Sequence, residues 1–174
     1  LRLEDISSDY EFKLCRLDVA VKKVVKKFAP QFIGRHISLH IEQIEDSVCT
    51  DSKWLGFIIE QLIFNAVKYS KDGGSVRIYT LHGKGDIKKN SKDDSLQLVI
   101  EDTGIGINEE DIPRIMERGF TGYNGRLDRK SSGIGLYLCR KAADRLGFVI
   151  TFDASYKNGT RVVIDMTQRY TKHE

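Results

Sequence analysis

The chain has 174 residues, of which 40% are apolar and 30% charged, and this composition predicts one ordinary globular domain rather than a disordered or collagenous chain. The 28 basic side chains outnumber the 25 acidic ones by only three, so the charge does not favour nucleic acid or an anionic lipid surface as a partner. Cys15, Cys49 and Cys139 lie far apart, which indicates neither a disulfide framework nor a zinc site and fits a reducing compartment. No apolar run reaches the roughly 18 residues that a membrane span needs.

Apolar periodicity predicts the elements in the first half of the chain. Valines within residues 18–29 recur at helical spacing, and Pro30 is expected to end this helix. Alternation over residues 37–41 predicts a half-buried strand. A longer helix is expected from the capping candidates at residues 50–52 to about Ser70.

The second half of the chain alternates between strand and helix patterns. We predict strands at 76–81, 96–101, 148–154 and 160–166, a short helix at 109–117 and a helix at 133–146 that Gly147 caps. Residues 82–95 are predicted to form a polar connection between two strands. The polar, glycine-rich stretch from Gly119 to Ser132 is expected to be mobile. Asn158-Gly159 predicts a hairpin turn between the last two strands. The sum is an α+β fold, a two-layer α/β sandwich with a mixed sheet of about five strands backed by three main helices.

A glycine-rich turn follows the strand at 96–101. Asp102 is separated by one residue from Gly104, and Gly106 follows two residues later, before Ile107. The glycines allow a close turn, while the carboxylate at the strand end could accept a hydrogen bond from an exocyclic amine such as that of adenine. Taken alone, this motif is more often a plain Asp-x-Gly turn without any ligand.

A second glycine motif opens the last predicted helix. Gly133 and Gly135 follow Ser131-Ser132, and a helix start presents free N–H groups and a positive dipole end to a phosphate. Simple capping by Ser132 is the alternative. The motif is neither a P-loop nor a dinucleotide fingerprint, because neither spacing is present.

The long helix carries a polar stripe. Gln61, Asn65 and Lys68 are spaced by four and three residues and so project from one side of the helix. An amide oxygen suits Mg²⁺, and lysine suits phosphate, although a solvated stripe would look the same. The co-occurrence of all three motifs with a lid-like loop favours a site for a magnesium nucleotide.

The motifs and their order resemble those of the catalytic ATP-binding domain of bacterial sensor histidine kinases. They are Asn65-Ala66-x-Lys68-Tyr69-Ser70, Asp102-x-Gly104-x-Gly106, Gly119-Phe120, Gly133-x-Gly135-Leu136 and Asn158-Gly159-Thr160. The resemblance covers about residues 18–166 and extends to the superfamily shared with gyrase, chaperone and mismatch-repair (MutL-type) ATPases. Residues 51–55 and 120–126 look like the intramembrane-sensing, bacitracin-type kinases of Gram-positive bacteria.

This resemblance implies a role for each matching position. Asn65 would be the metal ligand that holds Mg²⁺ on ATP, and it would form a catalytic set with Lys68, at the phosphates, and Gln61. Asp102 would hold the adenine amine. The other nucleotide-contacting positions would be Tyr69, Gly104, Gly106, Ile107, Phe120, Ser132, Gly133, Ile134, Gly135, Leu136 and Thr160. Residues 118–132 would form an ATP lid, with Arg118, Arg126, Arg129 and Lys130 as further candidates for the γ-phosphate.

Two departures from the family pattern bear on the activity. Gln61 stands where hydrolytic relatives such as gyrase place a glutamate, and an amide cannot take a proton from water, so efficient hydrolysis by the chain alone is not expected. Glu60 lies about 100° around the helix and is not assigned as the base. Phe120-Thr121-Gly122 lacks the second aromatic residue and the proline that many of these kinases show.

The phosphoacceptor histidine is expected outside the sequence. His36, His40, His82 and His173 all lack the following acid and proline that mark it in the family. The resemblance therefore implies that residues 1–12 are the remnant of an upstream dimerisation helix and linker, that 13–168 form the catalytic domain and that 169–174 are a tail.

These expectations define a function and two alternatives. The domain would transfer the γ-phosphoryl of ATP to a histidine of the upstream dimerisation domain, for relay to an aspartate of a response regulator. The whole protein would be a membrane homodimer with this domain in the cytoplasm and without nucleic acid as a partner. An ATPase switch of the same fold and a catalytically silent nucleotide-binding interaction module are the alternatives.

Overall fold

The structure, a computed structural model, describes residues 10–83, 95–122 and 133–167. Its helices and strands follow one another as β1 (Lys13–Arg16), α1 (Leu17–Gly34), β2 (Ser38–Ile41), β3 (Ser47–Thr50), α2 (Ser52–Tyr69), β4 (Ser75–His82), β5 (Leu96–Asp102), a 3-10 turn (Ile112–Arg114), α3 (Gly135–Leu146), β6 (Val149–Phe152) and β7 (Thr160–Asp165).

Five strands form the main sheet, in the order β2-β4-β5-β7-β6. β2 runs parallel to β4, and the other neighbours are antiparallel. The last register pair between β5 and β7 joins Asp102 to Thr160, so these two residues stand side by side at one end of the sheet. In the described part of the chain, the predicted two-layer sandwich with a mixed five-stranded sheet and three main helices is confirmed.

The core lies between the helices and one face of this sheet. Strand alternation points Ile78, Ile100 and Val162 to that face, and all three are buried there. α2 packs between α1 and α3 and against β5. The position of α2 therefore determines where the side chains of its polar edge, the polar stripe predicted above, meet the end of the sheet.

Both ends of α2 are fixed by charged side chains. Asp51 is the N-cap: its Oδ1 accepts from the backbone N–H groups of Lys53 (2.9 Å) and Trp54 (3.1 Å), while Oδ2 accepts from Glu11 N–H at 2.8 Å. At the other end, the guanidinium of Arg35 donates to the carbonyls of Val67 and Ser70, where a cation complements the helix dipole.

Pro30 does not end the first helix, which continues to Gly34. The prediction was wrong because Pro30 lies on the exposed side of α1, where water can reach the carbonyl that loses its N–H partner. On the opposite side, Phe28 and Phe32 are buried and hold both halves of the helix against the core.

The short helix predicted at 109–117 is also wrong. The segment contains only the 3-10 turn, and the N–H groups of Arg114, Ile115 and Glu117 each bond to the carbonyl three residues earlier. Pro113 lies in its first turn and has no N–H to give to the carbonyl of Glu109, so an α-helix would lack a bond there.

A two-stranded antiparallel ribbon of β1 and β3 was not predicted. The β6–β7 hairpin was predicted, but its connection spans residues 153–159 rather than a tight Asn-Gly turn. Gly147 caps α3 as predicted, with a left-handed φ of 75°.

Several expectations fall outside the described residues. These are the remnant at 1–9, the middle of the 82–95 connection, Ser132 and most of the expected lid with Arg126, Arg129 and Lys130, and the tail with His173. Within the described part of the chain, every helix is too short or too polar to cross a membrane.

Candidate functional site

A cavity of about 390 Å³ opens where the polar edge of α2, the turn after β5 and the start of α3 meet. Its volume falls in the range of small-molecule sites. Of the predicted positions, it is lined by Gln61, Asn65, Lys68, Tyr69, Asp102, Gly106, Ile107, Phe120, Gly133, Gly135, Leu136 and Thr160.

Asp102 is the buried charge of this cavity, with 4% of its surface exposed. Burial raises the pKa of its carboxyl to about 6, against the opposing effect of two backbone hydrogen bonds. Gly104 N–H (2.8 Å) and Thr160 N–H (3.2 Å) both donate to Oδ1. Among the described residues, both hydrogen bonds to the carboxylate go to Oδ1, which leaves Oδ2 to accept from a ligand.

The turn after β5 is joined directly to the end of α2. Ile105 N–H donates to the carbonyl of Tyr69 at 3.1 Å, and a Cβ on Gly104 would collide with that same carbonyl. Only glycine permits so close an approach. The contact fixes the distance between the carboxylate of Asp102 and the polar edge of α2.

The polar edge of α2 presents Gln61, Asn65 and Lys68 to the cavity. The ammonium of Lys68 lies 5.2 Å from the ring centre of Tyr69 and 5.9 Å from that of Phe64, which places the cation beside two aromatic faces. Within the described residues, no cluster of three acidic, histidine or cysteine side chains could hold a metal ion.

The start of α3 forms another part of the cavity wall. A Cβ on Gly135 would collide with the Oε1 atom of Gln61, and one on Gly133 would lie 2.6 Å from the Phe120 carbonyl oxygen. Gly119 N–H also donates to the carbonyl of Gly133 at 3.0 Å. We call this contact the Gly119–Gly133 clasp, and it joins the two ends of the segment that the sequence predicts as a lid.

Not every predicted residue lines the cavity. Gly104, Ile134 and the exposed Arg118 are absent from the lining. Of the described histidines, His36, His40 and His82 contribute nothing to the lining.

Other lining residues were missed by the sequence reasoning. They are the polar Asn108, Asp111 and Thr121, Gly122, and the apolar Leu62, Phe64, Ala66, Ile100, Ile115, Phe152 and Val162. Asn108 and Asp111 fall between Gly106 and the predicted lid, and this interval between two motifs is the signal that could have found them. Thr121 and Gly122 lie within the predicted lid, although no nucleotide contact was assigned to them individually. The apolar ones have the spacing of ordinary core residues.

The chain belongs to the family of histidine kinase-, DNA gyrase B- and HSP90-like ATPases, whose model matches residues 50–169. The match contains α2 with its polar edge, the turn after β5, both glycine motifs and Thr160. The predicted superfamily is thereby confirmed, and ATP is the ligand that this domain family binds.

The relatives are sensor kinases, as the resemblance implied. The sensor protein BceS of Bacillus subtilis is 35% identical over 159 residues, covering 91% of this chain and 45% of BceS. The sensor protein kinase GraS of Staphylococcus aureus is 38% identical over 120 residues, covering 69% of this chain and 32% of GraS. The chain therefore spans less than half the length of these relatives.

Solved structures share the fold. The mycobacterial sensor histidine kinase MprB superposes with a TM-score of 0.73 at 21% identity, over 92% of this chain and all of that one. The five-stranded sheet with three helices is thus the fold of histidine kinase catalytic domains.

Proposed function

We propose that the chain is the catalytic ATP-binding domain of a two-component sensor histidine kinase, and that it presents the γ-phosphoryl group of ATP to a histidine of another domain. The observation that carries the proposal is the convergence of Asp102, Asn65 and the glycines at the start of α3 on one cavity. The sensor-kinase relatives support the same activity.

In this proposal, Asp102 selects adenine. Its Oδ1 is already bonded to two backbone N–H groups, so Oδ2 is left to accept a hydrogen bond from the exocyclic amine. Because the carboxylate is buried, this bond forms in a medium of low dielectric constant, where it discriminates strongly against a ring with a carbonyl at that position.

The residues present fit a magnesium ion that is bound mainly through the nucleotide. Mg²⁺ commonly takes one or two protein oxygens and completes its shell with water and phosphate, where it neutralises phosphate charge. Asn65 lines the cavity, and among the described residues no hydrogen bond holds its side chain, so its amide oxygen could serve as that ligand. Lys68 would balance further phosphate charge.

Gln61 favours transfer to a protein over hydrolysis. Its amide reaches the start of α3, where the Oε1 atom fills the space beside Gly135. An amide can orient a group through hydrogen bonds but cannot act as a general base. Phosphoryl transfer depends chiefly on position and charge neutralisation, so a kinase can dispense with a water-activating base here.

The next steps are proposals as well. The bond from the γ-phosphorus to the β,γ-bridging oxygen would break as a histidine ring nitrogen forms a bond to phosphorus, and ADP would leave. The acceptor would lie on a dimeric upstream domain, and a response-regulator aspartate would then receive the group. Attachment to the membrane would belong to parts outside this sequence, with the present domain in the cytoplasm.

Calorimetric titration of the 174-residue chain with a nonhydrolysable ATP analogue tests the site. We expect binding that Mg²⁺ strengthens, and Asn65→Ala should remove only the metal-dependent part of the affinity. Gln31→Ala, which removes an exposed amide on α1, is the matched control. Failure of the wild-type chain to bind the analogue would refute the proposal.

A second assay separates transfer from the alternatives. The chain is mixed with ATP and the separately produced upstream domain of the same protein, and phosphohistidine is measured. Sustained hydrolysis by the chain alone, abolished by Asn65→Ala, would instead favour the ATPase switch. Tight binding without transfer or hydrolysis would favour the interaction module.

A further inference from the structure

Charged side chains form a row across the face of the main sheet that points away from the helices. Arg77 on β4, Glu101 on β5 and Arg161 on β7 are neighbours in the strand register. Glu101 is buried and accepts from Arg161 Nε at 2.7 Å, while Arg77 Nη1 lies 3.9 Å from its other oxygen. The row lies one register step from the final pair of β5 and β7.

Arg161 extends this row to the loop between β6 and β7. Its Nη1 atom donates to Asp153 at 3.0 Å, its guanidinium stacks on the ring of Tyr156 at 4.4 Å, and its carbonyl accepts from Asp153 N–H at 2.9 Å. Asp153 in turn accepts from the N–H and hydroxyl groups of Ser155. A single side chain therefore joins β5, β7 and the loop at 153–159.

The loop held by Arg161 forms the support of Asp102. A Cβ on Gly159 would collide with the carbonyl oxygen of Asp102 and would lie 2.8 Å from the N atom of Gly104, so the two backbone segments are in direct contact. The next residue, Thr160, gives its N–H to Asp102 Oδ1 at 3.2 Å. The strands end here, and without a further tie the last pair of a ladder is free to open.

We infer that Arg161 is a positioning residue of the nucleotide site: from the opposite face of the sheet it holds residues 153–160 so that Gly159 and Thr160 fix the carboxylate of Asp102 toward the adenine. That the ligand is adenine rests on the proposed function. That Arg161 holds Asp102 in place rests on the contacts described above. Arg161 does not line the cavity and touches no ligand in this role.

Arg77 provides a matched control for Arg161. It also pairs with Glu101, also stacks on a tyrosine, at 4.5 Å from the ring of Tyr79, and also bridges to a second acid, Glu42. Among the described residues, no hydrogen bond or ion pair joins it to the loop at 153–159. Arg161→Met and Arg77→Met therefore remove similar interactions, and only the first should affect the site.

Amide hydrogen exchange of the ligand-free 174-residue chain tests the hold on Asp102 without any nucleotide. Arg161→Met should speed exchange of the Thr160 and Gly104 amides at least about fivefold relative to Arg77→Met. A fivefold increase in local opening is the effect expected from the net loss of one hydrogen bond. Arg161→Lys should not rescue, because an ammonium cannot pair with two carboxylates as the guanidinium fork does. If Arg161→Met does not fold, Arg161→Lys and Asp153→Asn carry the same test.

Binding of ADP tests the effect on the site. Arg161→Met should weaken binding about fivefold and Arg77→Met less than about twofold, and the effect of Arg161→Met should vanish in an Asp102→Asn background, because it acts through that carboxylate. Unchanged exchange at Thr160, or an equal loss of affinity in both backgrounds, would overturn the inference. If the wild-type chain does not bind ADP, the proposed function fails, and the exchange data alone decide whether Arg161 holds Asp102.

Discussion

Asp102→Asn is expected to stabilise the ligand-free domain at neutral pH while weakening its binding of adenine nucleotides. Burial raises the pKa of Asp102 from 3.8 to about 6, so at pH 7 the fold holds a carboxylate in a place that disfavours the charge. This rise in pKa corresponds to a cost of about 3 kcal/mol in folding free energy when the carboxyl group is ionised. Asparagine has nearly the same shape and carries no charge.

The sign of the pH dependence follows from the direction of the shift. Because the folded state keeps the proton to higher pH than the unfolded chain, the contribution of Asp102 to stability is full below pH 3.8 and is lost as the pH rises through about 6. Asparagine does not titrate. The stability of the variant relative to wild type should therefore rise by about 2 kcal/mol between about pH 4.5 and pH 7.5.

Urea unfolding at several pH values measures this difference. Trp54 is the single tryptophan of the sequence and is 1% exposed, so its fluorescence reports unfolding directly. Asp153→Asn is the control of opposite sign, since hydrogen bonds from Ser155 and Arg161 hold the pKa of Asp153 below its usual value. Its stability relative to wild type should fall as the pH rises.

Two results would refute this reasoning. A stability difference between Asp102→Asn and wild type that stays constant or falls with rising pH would mean that the buried carboxylate carries no such penalty. Undiminished ADP affinity in the folded variant would remove Asp102 from the site, since loss of a hydrogen bond to a charged group should weaken binding by about 1.5 to 3 kcal/mol.

Three further predictions concern the site and the elements that support it. Calorimetry should show the wild-type affinity for ADP rising with pH up to about 6 and then levelling, as the ionised Asp102 accepts the amine, whereas Asp102→Asn should show no such rise. Gly159→Ala should destabilise by about 3 kcal/mol or more because its Cβ meets backbone, while Gly56→Ala, in open space within α2, should stabilise by about 0.5 to 1 kcal/mol in urea unfolding. Asp51→Ala should lower the thermal midpoint through a loss of about 1 to 2 kcal/mol, since it removes a helix cap, and should free the Glu11 amide for exchange.

Local patterns predicted the parts of the fold that depend on neighbours in sequence. The bounds of α2 followed from its apolar stripe and from Asp51, and the cap at Gly147 followed from a glycine after the last apolar position. The ribbon of β1 and β3 could not be found this way, because each strand has four residues and they pair across more than thirty positions.

The features of the candidate site likewise divide into those that local sequence patterns predict and those that depend on distant parts of the chain. Motifs predicted which residue types face the cavity, including Asp102 and Asn65, because glycine turns and helical spacing are local signals. The bond from Thr160 to Asp102 and the supporting role of Arg161 depend on strands 58 and 60 residues apart in sequence, and no local pattern encodes that register. The short helix predicted at 109–117 did not form, because Pro113 has no N–H to give to the carbonyl of Glu109.

The Gly119–Gly133 clasp fixes where the chain leaves the cavity wall and where it returns. Because residues 119 and 133 are bonded through their backbones, a change between them need not move Gly133 or the helix that follows it. The entropy of closing a loop grows only slowly with its length, so an insertion between two fixed ends has a small cost. An engineer could therefore exchange residues 123–132 for those of another kinase while Phe120, Thr121 and Gly122 keep their places in the cavity lining.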